Sequence, residues 1–274
     1  MRKNAGISSG WLWLTVPIAI LLTVAAGSGV FVRGLYRDTT YLLVQAMGQD
    51  AITLIAVLPT LVVGAFLAAR GSQRARLVWL GGLIYLVYTY VGYAFAVRFN
   101  PLFLVYVALL GCSTYALIGG LVTTDRAGIK AGFALNTSVK ALSIYLAVIA
   151  ILFYLIWLSD AVPASLAGKP SQSLIDNGTP TNFVQVLDMA WMLPAIAITA
   201  VGLWRRQPLG YTLAAPVLTF LVLLTLAILS MVVFMVKAGQ PVVIPQVVIY
   251  GVLFIVSIGG LIWYLKNLEL APAK

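Results

Sequence analysis

Histidine is absent from the 274 residues, and cysteine occurs once, as Cys112. Without histidine there is no His-ligated haem, no ordinary histidine zinc site and no Ser-His nucleophile. A lone cysteine leaves neither a cysteine-rich metal centre nor an intrachain disulfide. Charge is scarce as well: 9% of the residues are charged, where soluble domains carry about 25%. No lysine lies inside an apolar run, which excludes a retinal Schiff base, and no acid sits at the middle of one, which argues against a carboxylate proton relay. An arginine ladder and a GxxxxGK phosphate loop are also missing. The sequence therefore implies no cofactor and no metal site, and it leans away from an enzyme.

What remains is apolar. Hydrophobic residues make up 62% of the chain and the mean hydropathy is +1.04. So little polar side chain cannot cover a water-soluble surface, and lipid must cover it instead. Runs near the length of a membrane-spanning helix recur throughout, and the alternation of a membrane β-barrel is absent. The expected fold is an all-α, polytopic bundle of eight spans, at about 11–32, 48–69, 77–97, 101–123, 140–158, 184–204, 211–236 and 245–265. Short breaker-rich connections join them, with one long loop at 159–183.

The net charge of +10 does not point to nucleic acid, because the basic residues stand in ones, twos and threes at the ends of apolar runs. Assigned to alternate sides, they divide unevenly. Arg2, Lys3, Arg70, Arg74, Arg76, Arg126, Lys130, Lys140, Arg205, Arg206, Lys266 and Lys274 fall on one side; Arg33, Arg37, Arg98, Lys169 and Lys237 fall on the other. The first side is expected to be cytoplasmic, with both termini on it and the protein in the plasma or inner membrane. The loop 159–183 then faces out with Asp38, Asp50, Asp160, Asp176 and Asp188. "MRK" before an apolar run has the look of a signal peptide, but the run reaches Val32, longer than a usual h-region. "NGT" at 177–179 reads as a turn rather than as a glycosylation acceptor.

The spans also repeat. Leu58-Pro59 is followed by Arg70 and Leu193-Pro194 by Arg205, all at an offset of 135; Pro101-x4-Tyr106 recurs as Pro245-x4-Tyr250, and both of those spans carry a Gly-Gly pair. The expectation is a tandem, parallel four-plus-four duplication, with units at 1–139 and 140–274. An even number of spans per unit makes the halves run the same way, unlike inverted-repeat transporters. The pattern Asp50-x8-Pro59-x10-Arg70 and Asp188-x5-Pro194-x10-Arg205, with the turns "ARGSQRA" and "RRQPLGY", resembles one helix and turn of the four-helix emopamil-binding superfamily. The resemblance implies a tandem pair of such units around a cavity for a sterol-like or cationic amphiphile, with Asp50 and Asp188 at the acid positions. The family's catalytic histidine has no counterpart here, so isomerase activity is not implied.

Depth along each span marks the candidate site. "GGLIYLVYTYVGYAF" holds four tyrosines: Tyr90 and Tyr93 are expected in an interfacial aromatic belt, whereas Tyr85 and Tyr88 lie near the midplane, where an unpartnered phenol is costly. Span 4 carries Cys112, Ser113, Thr114 and Tyr115 at the same depth, which suits either helix packing or the wall of a pocket formed with Tyr85 and Tyr88. Asp50, 20 residues before Arg70, is expected at the outer rim as a helix cap. Asp188 lies 17 residues before Arg205 and therefore deeper, with Arg98 as its expected partner. The expected function is binding or transport of a small lipophilic or amphipathic ligand at Asp188, Asp50, Tyr85, Tyr88, Ser113, Tyr115 and Arg98. The alternative is a structural or assembly subunit without a ligand. Membrane lipids are the expected partners, and self-association is compatible with the sequence.

Overall fold

A computed structural model describes residues 10–171, 174–175 and 178–269. Arg2, Lys3, Asp176, Asn177 and Lys274 lie outside the described residues. Among those described, eight helices are long and apolar enough to cross a membrane: α1 Gly10–Phe31, α2 Thr40–Ala69, α3 Gln73–Phe95, α4 Phe103–Val122, α5 Lys140–Ala167, α6 Phe183–Trp204, α7 Pro208–Lys237 and α8 Ile244–Asn267. The chain is a multi-pass helical membrane protein, in contact with membrane lipids along those helices. Large apolar side chains such as Phe66, Leu104, Ile151 and Ile255 are exposed on its outside, as a lipid-facing surface requires.

Two helices run further than the apolar pattern predicts. α2 begins at Thr40, not near residue 48, because the Thr39 hydroxyl accepts from the Leu42 amide and caps it. Asp50 is therefore well inside a helix and caps nothing. α5 continues through Ser159, Asp160 and Pro163 to Ala167 and stops at Gly168, whose φ of 61° is the left-handed conformation of a helix C-cap. At 1.5 Å per residue, a 28-residue helix is roughly 42 Å long, more than the hydrocarbon core it crosses.

Both Leu-Pro helices contain a π turn just before the proline, at Thr53–Val57 in α2 and Asp188–Met192 in α6. Leu58 donates its amide to the Thr53 carbonyl and Leu193 to the Asp188 carbonyl. A proline ring crowds the carbonyl one turn back, and widening that turn relieves the clash without ending the helix. Arg70 and Arg205 then cap the two helices.

Within residues 10–122, α1 packs on α2 and α4, α2 on α3, and α3 on α4; within 140–267, α5 packs on α6, α6 on α7, and α7 on α8. α7 joins the two groups by packing on both α2 and α3. Helix pairs are tied by polar side chains: Trp79 Nε1 donates to Thr15 Oγ1, and Ser143 Oγ donates to the Ala200 carbonyl. α3 is the most enclosed span and α8 the least. This position explains why Tyr90 and Tyr93, expected at the lipid interface, are instead buried: most of a central helix is turned toward protein.

The α2–α7 seam is closed by glycine. A Cβ on Gly48 would lie 2.6 Å from the Met231 Cα and 2.8 Å from its nitrogen, and Ser230 Oγ donates to the Gly48 carbonyl at 2.8 Å. Backbone cannot yield as a flexible side chain does. Gly48→Ala is therefore expected to destabilise the protein by about 1–3 kcal/mol, the usual cost of overpacking, read as a lowered unfolding midpoint in detergent. An unchanged midpoint would refute this account of the seam.

Candidate functional site

A cavity of about 380 Å³ lies between α3, α5, α6, α7 and α8. The N-terminal part of α2 completes its rim through Tyr41, Gln45 and Gln49. Most of the wall is apolar, including Ile149, Phe153, Ile196, Leu224 and Ile228. Asp188 is the polar centre. Its Oδ1 accepts from the Tyr88 hydroxyl at 3.0 Å and its Oδ2 from Trp157 Nε1 at 2.8 Å, so donors on α3 and α5 orient a carboxyl on α6. Asp188 is also the first residue of the α6 π turn, and such turns are frequent at functional sites. The Tyr154 hydroxyl donates to the Met189 carbonyl at 2.8 Å and fixes the widened turn.

Around this carboxyl the side chains are aromatic. The Tyr88 ring meets Phe220 edge-on at 5.3 Å, and Phe153 stands 6.4 Å from Tyr250. Gln49 Nε2 donates to Thr89 Oγ1 at 3.0 Å on the opposite wall. A carboxylate offers about four lone-pair positions; two are taken by Tyr88 and Trp157, leaving acceptor capacity for a guest. Asp38 and Asp188 are the carboxylates on the described lining, and no lysine or arginine shares it.

Of the residues singled out in the sequence, the cavity brings together Asp188 and Tyr88. The other five stand elsewhere. Asp50 is only 2% exposed and faces the first group of helices. The Tyr36 hydroxyl donates to Asp50 Oδ2, and the Tyr93 hydroxyl donates to Oδ1 at 3.0 Å. Tyr90 and Tyr106 pack against Tyr93 at 5.5 and 5.3 Å, completing an aromatic shell. Burial and the neighbouring Asp50 carboxyl push the Tyr36 phenol well above its ordinary value, so it remains a donor. Tyr85 is fully buried and Ser113 likewise, its Oγ without a described partner; neither lines the cavity.

Two expectations are corrected outright. Tyr115 is 66% exposed on the outside of α4, because the polar run at 112–115 spreads over all faces of a helix and only part of it turns inward. Arg98 does not pair with Asp188; it is exposed past the end of α3, and its backbone amide donates to Asp38 Oδ1 at 3.1 Å. Trp157, Phe183, Phe153 and Tyr250 were missed. Aromatic residues near the ends of spans read as interfacial anchors, and nothing local in the sequence separates those from cavity walls.

Comparison with protein-family models, with curated proteins and with solved structures finds no match. The functional reading therefore rests on the geometry.

Proposed function

We propose that the chain binds or moves a small amphipathic molecule in the 380 Å³ cavity, with Asp188 taking the polar end and the apolar wall the rest. The observation that carries this reading is a concavity of ligand size around a carboxyl that two donors already orient and that has lone pairs to spare. Carboxylates without cations on the lining disfavour an anionic head group. The preferred guest is neutral or cationic and presents hydrogen-bond donors.

The proposal includes a tandem organisation, with units at 1–139 and 140–274 running the same way. It is supported by the π turns at 53–57 and 188–192, which fall at the same offset of 135 as the Leu-Pro and arginine matches. Gly81 lends independent support. A Cβ on Gly81 of α3 would lie 2.6 Å from the Pro216 carbonyl of α7, and 216 is 81 plus 135. Residues on a two-fold axis touch their own equivalents, so this crossing is where the axis relating two parallel units would pass. The uneven spread of lysine and arginine supports a plasma or inner membrane location with both termini cytoplasmic.

A native mass spectrum of the purified protein tests the reading. The expected result is a retained small-molecule or lipid mass whose occupancy falls roughly two- to tenfold in Tyr88→Phe, the worth of one ordinary hydrogen bond. Wild-type protein with no retained mass, or a mass equally retained by Tyr88→Phe, would turn the assignment toward an assembly subunit.

A further inference from the structure

The cavity lies beside the α3–α6 seam, and this seam differs from the α2–α7 seam, its counterpart at an offset of 135, in the size of the residue at the contact. In the α2–α7 seam Gly48 lies directly on the backbone of Ser230 and Met231. Subtracting or adding 135 carries this contact to α3–α6: Phe183 stands in place of Gly48, and Phe95 and Ala96 stand in place of Ser230 and Met231. There a side chain, not backbone, makes the contact. The Phe183 ring lies over Gly92, where a Cβ would fall 2.5 Å from its Cε2 and 2.8 Å from its Cζ. Gly92, Ala96 and Phe183 all line the cavity. Five residues further along α6, Asp188 is tied back to Tyr88. The seam is thus propped by a ring at the start of α6 and tied by a hydrogen bond about one turn further along.

We infer that Phe183 is the wedge that holds α6 away from α3, setting the width of the cavity and so the cross-section of the molecule it admits. The inference rests on the proposed ligand reading for its functional half and on the packing alone for its structural half. Glycine at the corresponding place allows two helix backbones to touch; a phenyl ring forces them apart, and the side chains at a contact set interaxial distances between about 8 and 10 Å. At Gly92 a Cβ would meet the Phe183 ring, so a larger residue there would have to displace it. Asn182 keeps the wedge in place: its Oδ1 accepts from the Val184 and Gln185 amides at 3.1 and 3.2 Å, so α6 begins at the wedge residue itself. Phe183 is a positioning and size-selecting residue, not one that must hold the polar end of the guest.

The test uses full-length protein in lipid nanodiscs, with Cys112→Ser and spin labels on cysteines replacing Phe95 and Val186, both exposed on their helices. Pulsed-dipolar distances between α3 and α6 are expected to rank Phe183→Ala below wild type and Phe183→Trp above it, with steps on the order of 2 Å, the range over which contact side chains move helix axes. The same three proteins are titrated by native mass spectrometry with n-decylamine and with a bulky adamantyl amine. Phe183→Ala is expected to shift selectivity toward the slender amine at least tenfold, a ratio that general destabilisation would leave unchanged. Equal distances in all three proteins would overturn the inference, as would an ordered distance series with unaltered selectivity. An ordered distance series in proteins that bind neither amine would uphold the wedge as a packing device and count against the proposed ligand reading instead.

Discussion

Asp50→Leu is expected to lower stability by about 1–3 kcal/mol, because it strands the buried Tyr36 phenol, while the Tyr93 hydroxyl keeps the Ala46 carbonyl as an acceptor at 3.3 Å. Asp50 accepts from Tyr36 and Tyr93 and has no other described hydrogen-bond partner. Removing it leaves the Tyr36 hydroxyl inside a shell of aromatic rings that also contains Tyr90 and Tyr106. Gly29 makes the arrangement tighter still, since a Cβ there would collide with both Asp50 Oδ2 and the Tyr36 hydroxyl. The loss comes from broken partnership, not from any intrinsic gain in burying a carboxyl, and this has a checkable consequence. The triple variant Tyr36→Phe, Tyr93→Phe, Asp50→Leu removes donors and acceptor together and should regain most of the lost stability, as apolar replacement of a complete buried polar cluster often does. Unfolding midpoints in one detergent, for wild type, single and triple variants, decide the matter. A triple variant as weak as the single one would mean that shape, not hydrogen bonding, is what Asp50 supplies. Asp50 and Tyr36 do not line the cavity whereas Tyr93 does, so any mass retained by wild-type protein should persist in Tyr36→Phe.

The contrast between the two aspartates shows what a sequence like this makes legible. Span positions are readable: the eight apolar runs mark the eight helices within a few residues at most ends. Direction around the helix axis is much harder to read. Periodicity cannot say which face meets protein when most of a helix such as α3 is enclosed, so Tyr90 and Tyr93 read as interfacial although both are buried. Polar residues misled in two ways. Span 2 was expected to start near residue 48, yet the helix starts at Thr40, and Gln45 in that added stretch lines the cavity together with Gln49. Ser159, Asp160 and Pro163 suggested an end to α5, yet the helix absorbs them. Trp157 lies 31 residues from its partner Asp188, and no local pattern joins them. The Gly48–Phe183 difference was present in the sequence throughout; it acquires meaning only once the offset of 135 is laid over helices known to touch.

Asp188→Asn should produce the opposite signature to Asp50→Leu: a nearly unchanged fold and a large loss of ligand. An asparagine oxygen still accepts from Trp157, and its amide nitrogen donates to the Tyr88 oxygen, which accepts as readily as it donates. The orientation of the side chain therefore survives, along with the ties from α6 to α3 and α5. What disappears is negative charge and one acceptor at the point where a guest's donors would converge. A hydrogen bond to a charged group is worth about 1.5–3 kcal/mol, so binding of n-decylamine should weaken roughly 10- to 150-fold at 1.4 kcal/mol per decade. Native mass titration gives that ratio, and a melting curve on the same sample gives the stability. Loss of both in parallel would mean that Asp188 acts as helix glue, as the assembly-subunit reading requires. Loss of affinity at constant midpoint is the outcome that only a binding role produces, since the two remaining hydrogen bonds are enough to hold the helices but not to hold a guest.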